Sequence, residues 1–346
     1  MKPVRVWGNG CYDVFHFGHA NFIRQAKIMG DYMIAGVHGD ADITKNKGKP
    51  VMDQVERARM ISAVRWVDEV QENIPYGNVL QTLDDYNCDF CVHGDDIARD
   101  ANGNDIYQDC KERNRFRECK RTEGISTTDL IDRILLGTDM NFFGPEFSRK
   151  GSKKKSNIMP QEYYEQKIKE FTPENSRPKE GDTILYTQGV FDLLHSGQVG
   201  YLEKCKKSEE NGFLIVGVLS DEEVKRVYGT YPITNAHERA LALLSIRYVD
   251  QVIIGVAFDV TEDIISKHKV DYVCHGKVWD CPNDPYAVPK EKNIYRTVDS
   301  GSELTTEMII QRIVSHAGMY YVRNTKKSES QFSGMNPNIQ LQNTAN

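Results

Sequence analysis

No uninterrupted apolar run in this 346-residue chain approaches the roughly 18 residues that a membrane-spanning helix requires. The first ten residues, MKPVRVWGNG, lack the apolar stretch of a signal peptide, so no secretory leader is expected. A basic excess is missing too: 44 Lys and Arg stand against 50 Asp and Glu, for a net charge of -6. That argues against a general nucleic-acid binder, whose affinity rests on neutralising phosphates. Eight cysteines without a secretory signal read as reduced thiols of a cytoplasmic protein. Cys88 and Cys91 form a lone CxxC, with no second pair and no histidines at ligand spacing. A buried strand is the simpler reading there. The length favours two domains.

Internal repetition is present instead. Asp13 matches Asp192, an offset of 179. ERARMISAVRWVDEV from Glu56 matches ERALALLSIRYVDQV from Glu238, and VHGDD from Val92 matches CHGKV from Cys274, both at an offset of 182. Thr127 and Thr128 are matched to Thr305 and Thr306, an offset of 178. Four ordered landmarks at nearly constant spacing mark a domain used twice. The expected domains are 1–140, a connector over 141–181, a second copy over 182–323 and a disordered polar tail over 324–346. The connector holds SRKGSKKKS, five positive charges in nine residues, read as a solvated segment or an anionic-surface contact.

Each copy alternates short apolar runs with helical periodicity. VRVWG, YMIAGVHG, VDEVQE and CDFCVHG read as strands. Helices are expected over 17–29, from Asp53 through Val67 with Asp53 and Glu56 as a capping box, near 76–86, and from Ser126. Strands alternating with helices predict an α/β protein of two tandem Rossmann-like domains with parallel sheets. Ligands of such sheets bind at the carboxyl ends of the strands.

The chemistry concentrates in three segments of the first copy. GCYDVFHFGH feeds a helix start where exposed N–H groups favour anions. Its Gly18 permits close backbone approach, and His16 and His19, three apart, share a helical face as donors. KNKGKP supplies Lys45, Lys47 and Lys49 as a short basic loop. RTEGISTTDL brings Arg121 and Thr122, then Ser126, Thr127 and Thr128 at a second helix start, where Ser126 also suits the N-cap. Upstream, residues 111–121 hold six basic and two acidic side chains. Each segment alone has a bland reading as a structural histidine pair, a solvated loop or a capped helix. Together they specify an anion site.

GCYD…HFGH, KGK, RWVDEV, HGDD and RTEGISTTDLI in this order resemble the cytidylyltransferase family of the nucleotidyltransferase superfamily, and its tandem members in particular, over about 1–140 and 183–320. The resemblance implies a Rossmann-like fold, Mg²⁺ with CTP as substrate, and transfer of CMP to phosphoethanolamine with release of pyrophosphate. It implies that His16, His19 and Lys47 are catalytic. Gly10, Cys11, Tyr12, Gly18, Arg65, Gly94, Asp95, Arg121, Thr122, Ser126, Thr127 and Thr128 would contact CTP, and Asp13 and Tyr107 the second substrate. No protein metal ligands, integral membrane segment or nucleic-acid partner is expected, and a homodimer is allowed. Phosphocholine or glycerol 3-phosphate as acceptor, and a non-catalytic nucleotide sensor, are the alternatives.

The second copy has lost positive potential. Gln198 replaces His19, Tyr228 stands where Lys47 does, Arg121 has no basic counterpart, and Asp299 adds a negative charge. His195, Lys277, Thr305 and Thr306 remain. A packing or regulatory role is expected for it.

Overall fold

The computed structural model describes residues 2–100, 102–137, 159–174, 176–277 and 284–324. The basic run of the connector and the tail beyond 324 lie outside these residues.

In the first half, β1 (Arg5–Gly10), β2 (Tyr32–His38), β3 (Glu69–Ile74), β4 (Phe90–Gly94) and β5 (Phe116–Cys119) form a five-stranded parallel sheet in the order β3-β2-β1-β4-β5. The crossovers are α1 (Phe17–Ile28), then α2 (Asp40–Lys47) with α3 (Gln54–Ser62), then α4 (Val79–Asp85) and α5 (Gln108–Glu112); α6 (Thr127–Gly137) closes the half. Val6 and Trp7 of the central β1 are fully buried, as a strand covered on both faces must be. Cys88 and Cys91 are buried at β4, and burial raises the Cys88 thiol to about 11, out of reactive range.

After α7 (Gln161–Phe171), the second half repeats the plan with β6 (Thr183–Gly189), α8 (Ser196–Lys206), β7 (Gly212–Leu219), α9 (Asp221–Tyr228), α10 (Ala236–Leu244), β8 (Gln251–Val256), α11 (Glu262–His268), β9 (Tyr272–Gly276), α12 (Ala287–Glu291), β10 (Tyr295–Val298) and α13 (Thr306–Val314). Its order, β8-β7-β6-β9-β10, is the same topology. Among the described residues, no helix is long and apolar enough to cross a membrane.

The two halves meet around a pseudo-two-fold axis. Arg133 of α6 pairs with Glu238 of α10 at 2.7 and 3.0 Å, and Arg312 of α13 pairs with Glu56 of α3 at 2.6 and 2.9 Å. Val64 and Ile246 form an antiparallel bridge between the halves. Arg247 donates to the carbonyls of Val64 and Val67. Its counterpart Arg65 donates to those of Leu244, Ile246 and Val249 at 2.6 to 2.9 Å. The Arg65 guanidinium is thus occupied at the joint, a duty that the expected nucleotide contact did not include. The same contact ends α3 at Ser62, short of the Val67 that the periodicity predicts, because residues 63–67 pair across the axis.

The connector is partly structured. In α7, Tyr164 and Phe171 are buried, and Asn235 of the second half donates to the Tyr164 hydroxyl. Arg24 of α1 pairs with Glu170 at 2.6 Å. One helix thus touches both halves, because its aromatic residues, seven apart, fall on one face.

Replacing Arg65 with Ala strands three carbonyls at the joint. The expected loss is about 1–3 kcal/mol of unfolding free energy, read by urea denaturation, with nucleotide affinity unchanged. A selective loss of nucleotide affinity at full stability would restore the nucleotide role.

Candidate active site

The candidate site lies at the carboxyl edge of the first sheet, around the turn from β1 into α1. That turn is strained: Tyr12 and Val14 have φ of 52° and 46°. A β-branched residue is disfavoured in this region, and such strain persists only when the surroundings enforce it. Phe191 and Leu193 repeat the geometry at φ 52° and 48° in the second half. The strained turn therefore belongs to the fold rather than to one half's chemistry.

Asp13 is the anchor. Its carboxylate oxygens accept the N–H groups of Val51 and Met52, both at 2.9 Å, tying the segment before α3 to the turn. Burial raises its pKa, against these two bonds and the pull of Arg323 and Arg57. Each oxygen takes one backbone N–H, so Asp13 shapes the site. Asp192 does the same for Ile233 and Thr234. Arg57, buried beneath, donates to the carbonyls of Cys11, Met52 and His38 and to Asp40; the periodicity hid it inside α3.

His16 is the N-cap of α1. Its Nδ1 accepts the Gly18 N–H at 3.1 Å. A Cβ on Gly18 would stand 2.8 Å from that nitrogen, so glycine makes room for the ring. With Nδ1 accepting, the neutral ring carries its proton on Nε2, which makes that nitrogen a donor. His19 stacks on His16, ring centroids 3.9 Å apart and 22° between planes, with Tyr12 edge-on to His19 at 5.7 Å. The sequence predicts this shared face, and the structure brings the rings into contact.

Lys45 and Lys47 sit on the last turn of α2, not in a loop, and Gly48 ends the helix at φ 91°. Lys47 is exposed, with its Nζ 5.1 Å from the Tyr76 ring centroid. Arg121, at the end of β5, is exposed and 3.6 Å from Asp96. Gly94 ends β4 and the exposed Asp95 follows it. Gly10 leaves room for the Tyr12 ring, 3.1 Å from where a Cβ would be, and Cys11 is half-buried.

Several expected ligands have internal duties. Tyr12 is buried, its hydroxyl donating to the Gly8 carbonyl at 3.0 Å. Thr122 is buried and accepts from Asn21 at 2.9 Å. Ser126 accepts the Asp129 N–H as the helix cap, and Thr127 donates to the Asp13 carbonyl. Tyr107 is 2% exposed and donates to Asn9. In each case the hydroxyl faces a nearby partner inside the fold. Thr128, the next hydroxyl of that segment, is half-buried.

Thr306 donates to the Asp192 carbonyl at 3.0 Å, as Thr127 does to Asp13. The repeat therefore aligns here at 179, not 178: Thr305 matches Ser126, Thr306 matches Thr127, and Glu307 stands in place of Thr128. The second half has exchanged one more donor for a carboxylate.

Sequence reading missed a buried polar chain. Asn9 accepts from Trp7 and Tyr107 and faces His38 Nε2 at 3.2 Å; His38 Nδ1 lies 3.1 Å from the Ile74 carbonyl, with the Tyr76 ring 5.1 Å away. The signal lay in the repeat: Leu219 and Phe258 occupy the places of His38 and Tyr76. Burial pushes the His38 pKa down to about 4.

A parallel α/β sheet with paired imidazoles at a helix start, flanked by lysine and arginine, defines a nucleotidyltransferase-type enzyme. The cytidylyltransferase-like family model matches residues 7–133 and 186–316, both halves, and the chain belongs to that family. It is 42% identical to the ethanolamine-phosphate cytidylyltransferase of Mus musculus, covering 96% of this chain and 91% of that one. It is also 42% identical to the Dictyostelium discoideum enzyme of that name, covering 96% of each. A probable choline-phosphate cytidylyltransferase of Schizosaccharomyces pombe is 36% identical over 40% of this chain and 39% of that one.

His38, and His195 at the start of α8, are both lowered to about 4, His38 by burial and His195 by burial first and Arg312 second. Each stays neutral in the fold while its unfolded form protonates near 6.5. Their stabilisation is therefore full above that pH and is lost as pH falls towards 4, by about 3 kcal/mol per histidine. Denaturation across this window should show the slope, and His38→Leu should remove part of it.

Proposed function

We propose that this chain transfers the CMP moiety of CTP to phosphoethanolamine, releasing pyrophosphate and forming CDP-ethanolamine, the activated head group for phosphatidylethanolamine synthesis. The observation that carries the reading is the stacked His16–His19 pair at the start of α1, with the His16 Nδ1 committed inward and Lys47 and Arg121 on either side. A phosphate oxygen of the acceptor attacks the α-phosphorus of CTP. The new P–O bond forms as the α–β bridging P–O bond breaks, and that electron pair leaves on pyrophosphate. No protein nucleophile is needed. The histidines donate to the CTP phosphates, Lys47 meets the incoming and the resident phosphates, and Arg121 exchanges Asp96 for the leaving group. Such catalysis is positioning plus stabilisation of spreading negative charge.

Among the described residues, no group of three or more His, Cys, Asp or Glu can hold a metal, so an all-protein cage does not fit. Mg²⁺ held mainly by CTP phosphates and water fits better. No step above is routed through it.

Phosphoethanolamine is favoured over phosphocholine because the ethanolamine-phosphate relatives match along both halves, while the choline-phosphate relative matches less than half of the chain. The exposed Asp95 and Asp96 suit a primary ammonium. The seven described cysteines are all free, which supports a cytoplasmic setting. The two halves already make a pseudo-symmetric pair, so the reaction needs no second chain.

His16→Ala and Lys47→Ala should each stay folded and lower CTP-dependent pyrophosphate release roughly 10²-fold or more. Wild-type kcat in both would remove the assignment. Phosphoethanolamine should exceed phosphocholine in kcat/KM; equal values would overturn the acceptor while leaving the reaction class. In the second half, His195→Ala with Lys277→Ala should leave kcat within a few-fold, since about 1.5–3 kcal/mol is lost for each charge-assisted contact already missing there. Abolished turnover in that folded double variant would make the second half a working site.

A further inference from the structure

Beyond α13 the chain remains helical over residues 317–324 and reaches the first half's candidate site. Tyr320 is 2% exposed in the shared core. Arg323 stands on its ring, 4.8 Å from the centroid, and directs Nη1 at the Lys49 carbonyl, 3.5 Å away. The Cδ of Arg323 is 3.4 Å from where a Cβ on Gly48 would be, so the arginine stem rests on the bare face of the residue that ends α2. The next residue, Asn324, is buried, donates to Asp132 of α6 at 2.7 Å and approaches the Thr128 carbonyl at 3.5 Å. Two successive residues of the second half therefore grip two anion-facing segments of the first: the end of α2 and the opening of α6.

The α2 helix needs such a grip. Ile43 is its one buried residue, and its N-cap Gly39 offers no side chain. Lys45 and Lys47 crowd its last turn. A helix end carries partial negative charge on unpaired carbonyls, and a guanidinium there is favourable. The Arg323 charge is also felt at Asp13, the anchor of the residues that follow Lys49.

We propose that Arg323, supplied by the second half, is a positioning residue for Lys47: it clamps the end of α2 and the Gly48–Lys49 turn so that Lys47 meets the phosphates. The degenerate half thus completes the working site. This rests on the catalytic role given to Lys47 above.

The test uses the full-length chain with Arg323→Ala, Arg323→Lys, Lys47→Ala and the Lys47→Ala/Arg323→Ala double variant. The first readout needs no turnover. Cleavage by a lysine-specific protease at Lys45–Lys49 should speed about 10-fold in Arg323→Ala, because local opening becomes cheaper, and should return towards wild type in Arg323→Lys. The second readout is kinetic. Arg323→Ala should lower kcat about 10-fold with KM for CTP within about 3-fold, and Arg323→Lys should recover part of it. In the double variant the arginine change should add nothing to the Lys47→Ala loss, as residues acting through one another are non-additive. Unchanged cleavage overturns the clamp whatever the substrate is. Faster cleavage with wild-type kcat, or a full additional loss in the double variant, overturns the link to Lys47. Wild-type protein inert towards CTP and phosphoethanolamine, with the cleavage difference intact, leaves the clamp standing and removes the catalytic reading instead.

Discussion

Two arginine–glutamate pairs exchanged across a pseudo-two-fold axis hold this chain together. Arg133–Glu238 and Arg312–Glu56 each join a helix that closes one half to the helix after the anion-facing turn of the other. Glu238 is 2% exposed, and burying such a carboxylate is tolerable only because a bidentate guanidinium meets it. Glu56 has a second duty. It closes the capping box with Asp53, at the end of the segment that Asp13 fastens to β1. A contact from α13 thus passes through a helix cap to the loop behind Lys47. The interface and the site are one mechanical unit.

The second half serves as an internal control. Whatever both halves keep belongs to the fold: the strained turn, the carboxylate on two backbone N–H groups, the buried arginine under the turn, and the threonine that donates to the carbonyl of that aspartate. What only the first half keeps is a candidate for chemistry: His19, His38, Lys47, Tyr76, Arg121 and Thr128. Asp13 and Thr127 thus serve an architecture common to both halves, whereas His38 and Tyr76 belong to the first alone.

Periodicity and repetition made the layout legible. Apolar runs at strand spacing located the inner strands, and the Asp53–Glu56 box located the start of α3. The α2 helix was hidden because it buries Ile43 alone and so carries no apolar stripe. In α7 two aromatic residues sit within a charged stretch that composition assigns to a connector. The histidine pair was legible because it is local, a cap and its own first turn. The structural duties of Arg65 and Tyr107 were illegible for the opposite reason. Their partners lie 179 and 98 residues away, and nothing in a local pattern says whether a donor faces a ligand or a distant carbonyl. Arg323, 274 residues from Lys49, is the extreme case.

The pairing of unequal halves within one chain has a consequence for cooperativity. A pair of identical working sites, joined by contacts that run from one turn to the other, would have a route by which filling one alters the affinity of its neighbour. Here the neighbour keeps His195 but has lost the counterparts of His19, Lys47 and Arg121. The contacts survive although the second set of phosphate-facing groups does not. With one complete set of phosphate-facing groups, the expected nucleotide saturation is hyperbolic, at one equivalent per polypeptide, however symmetrical the scaffold that carries it.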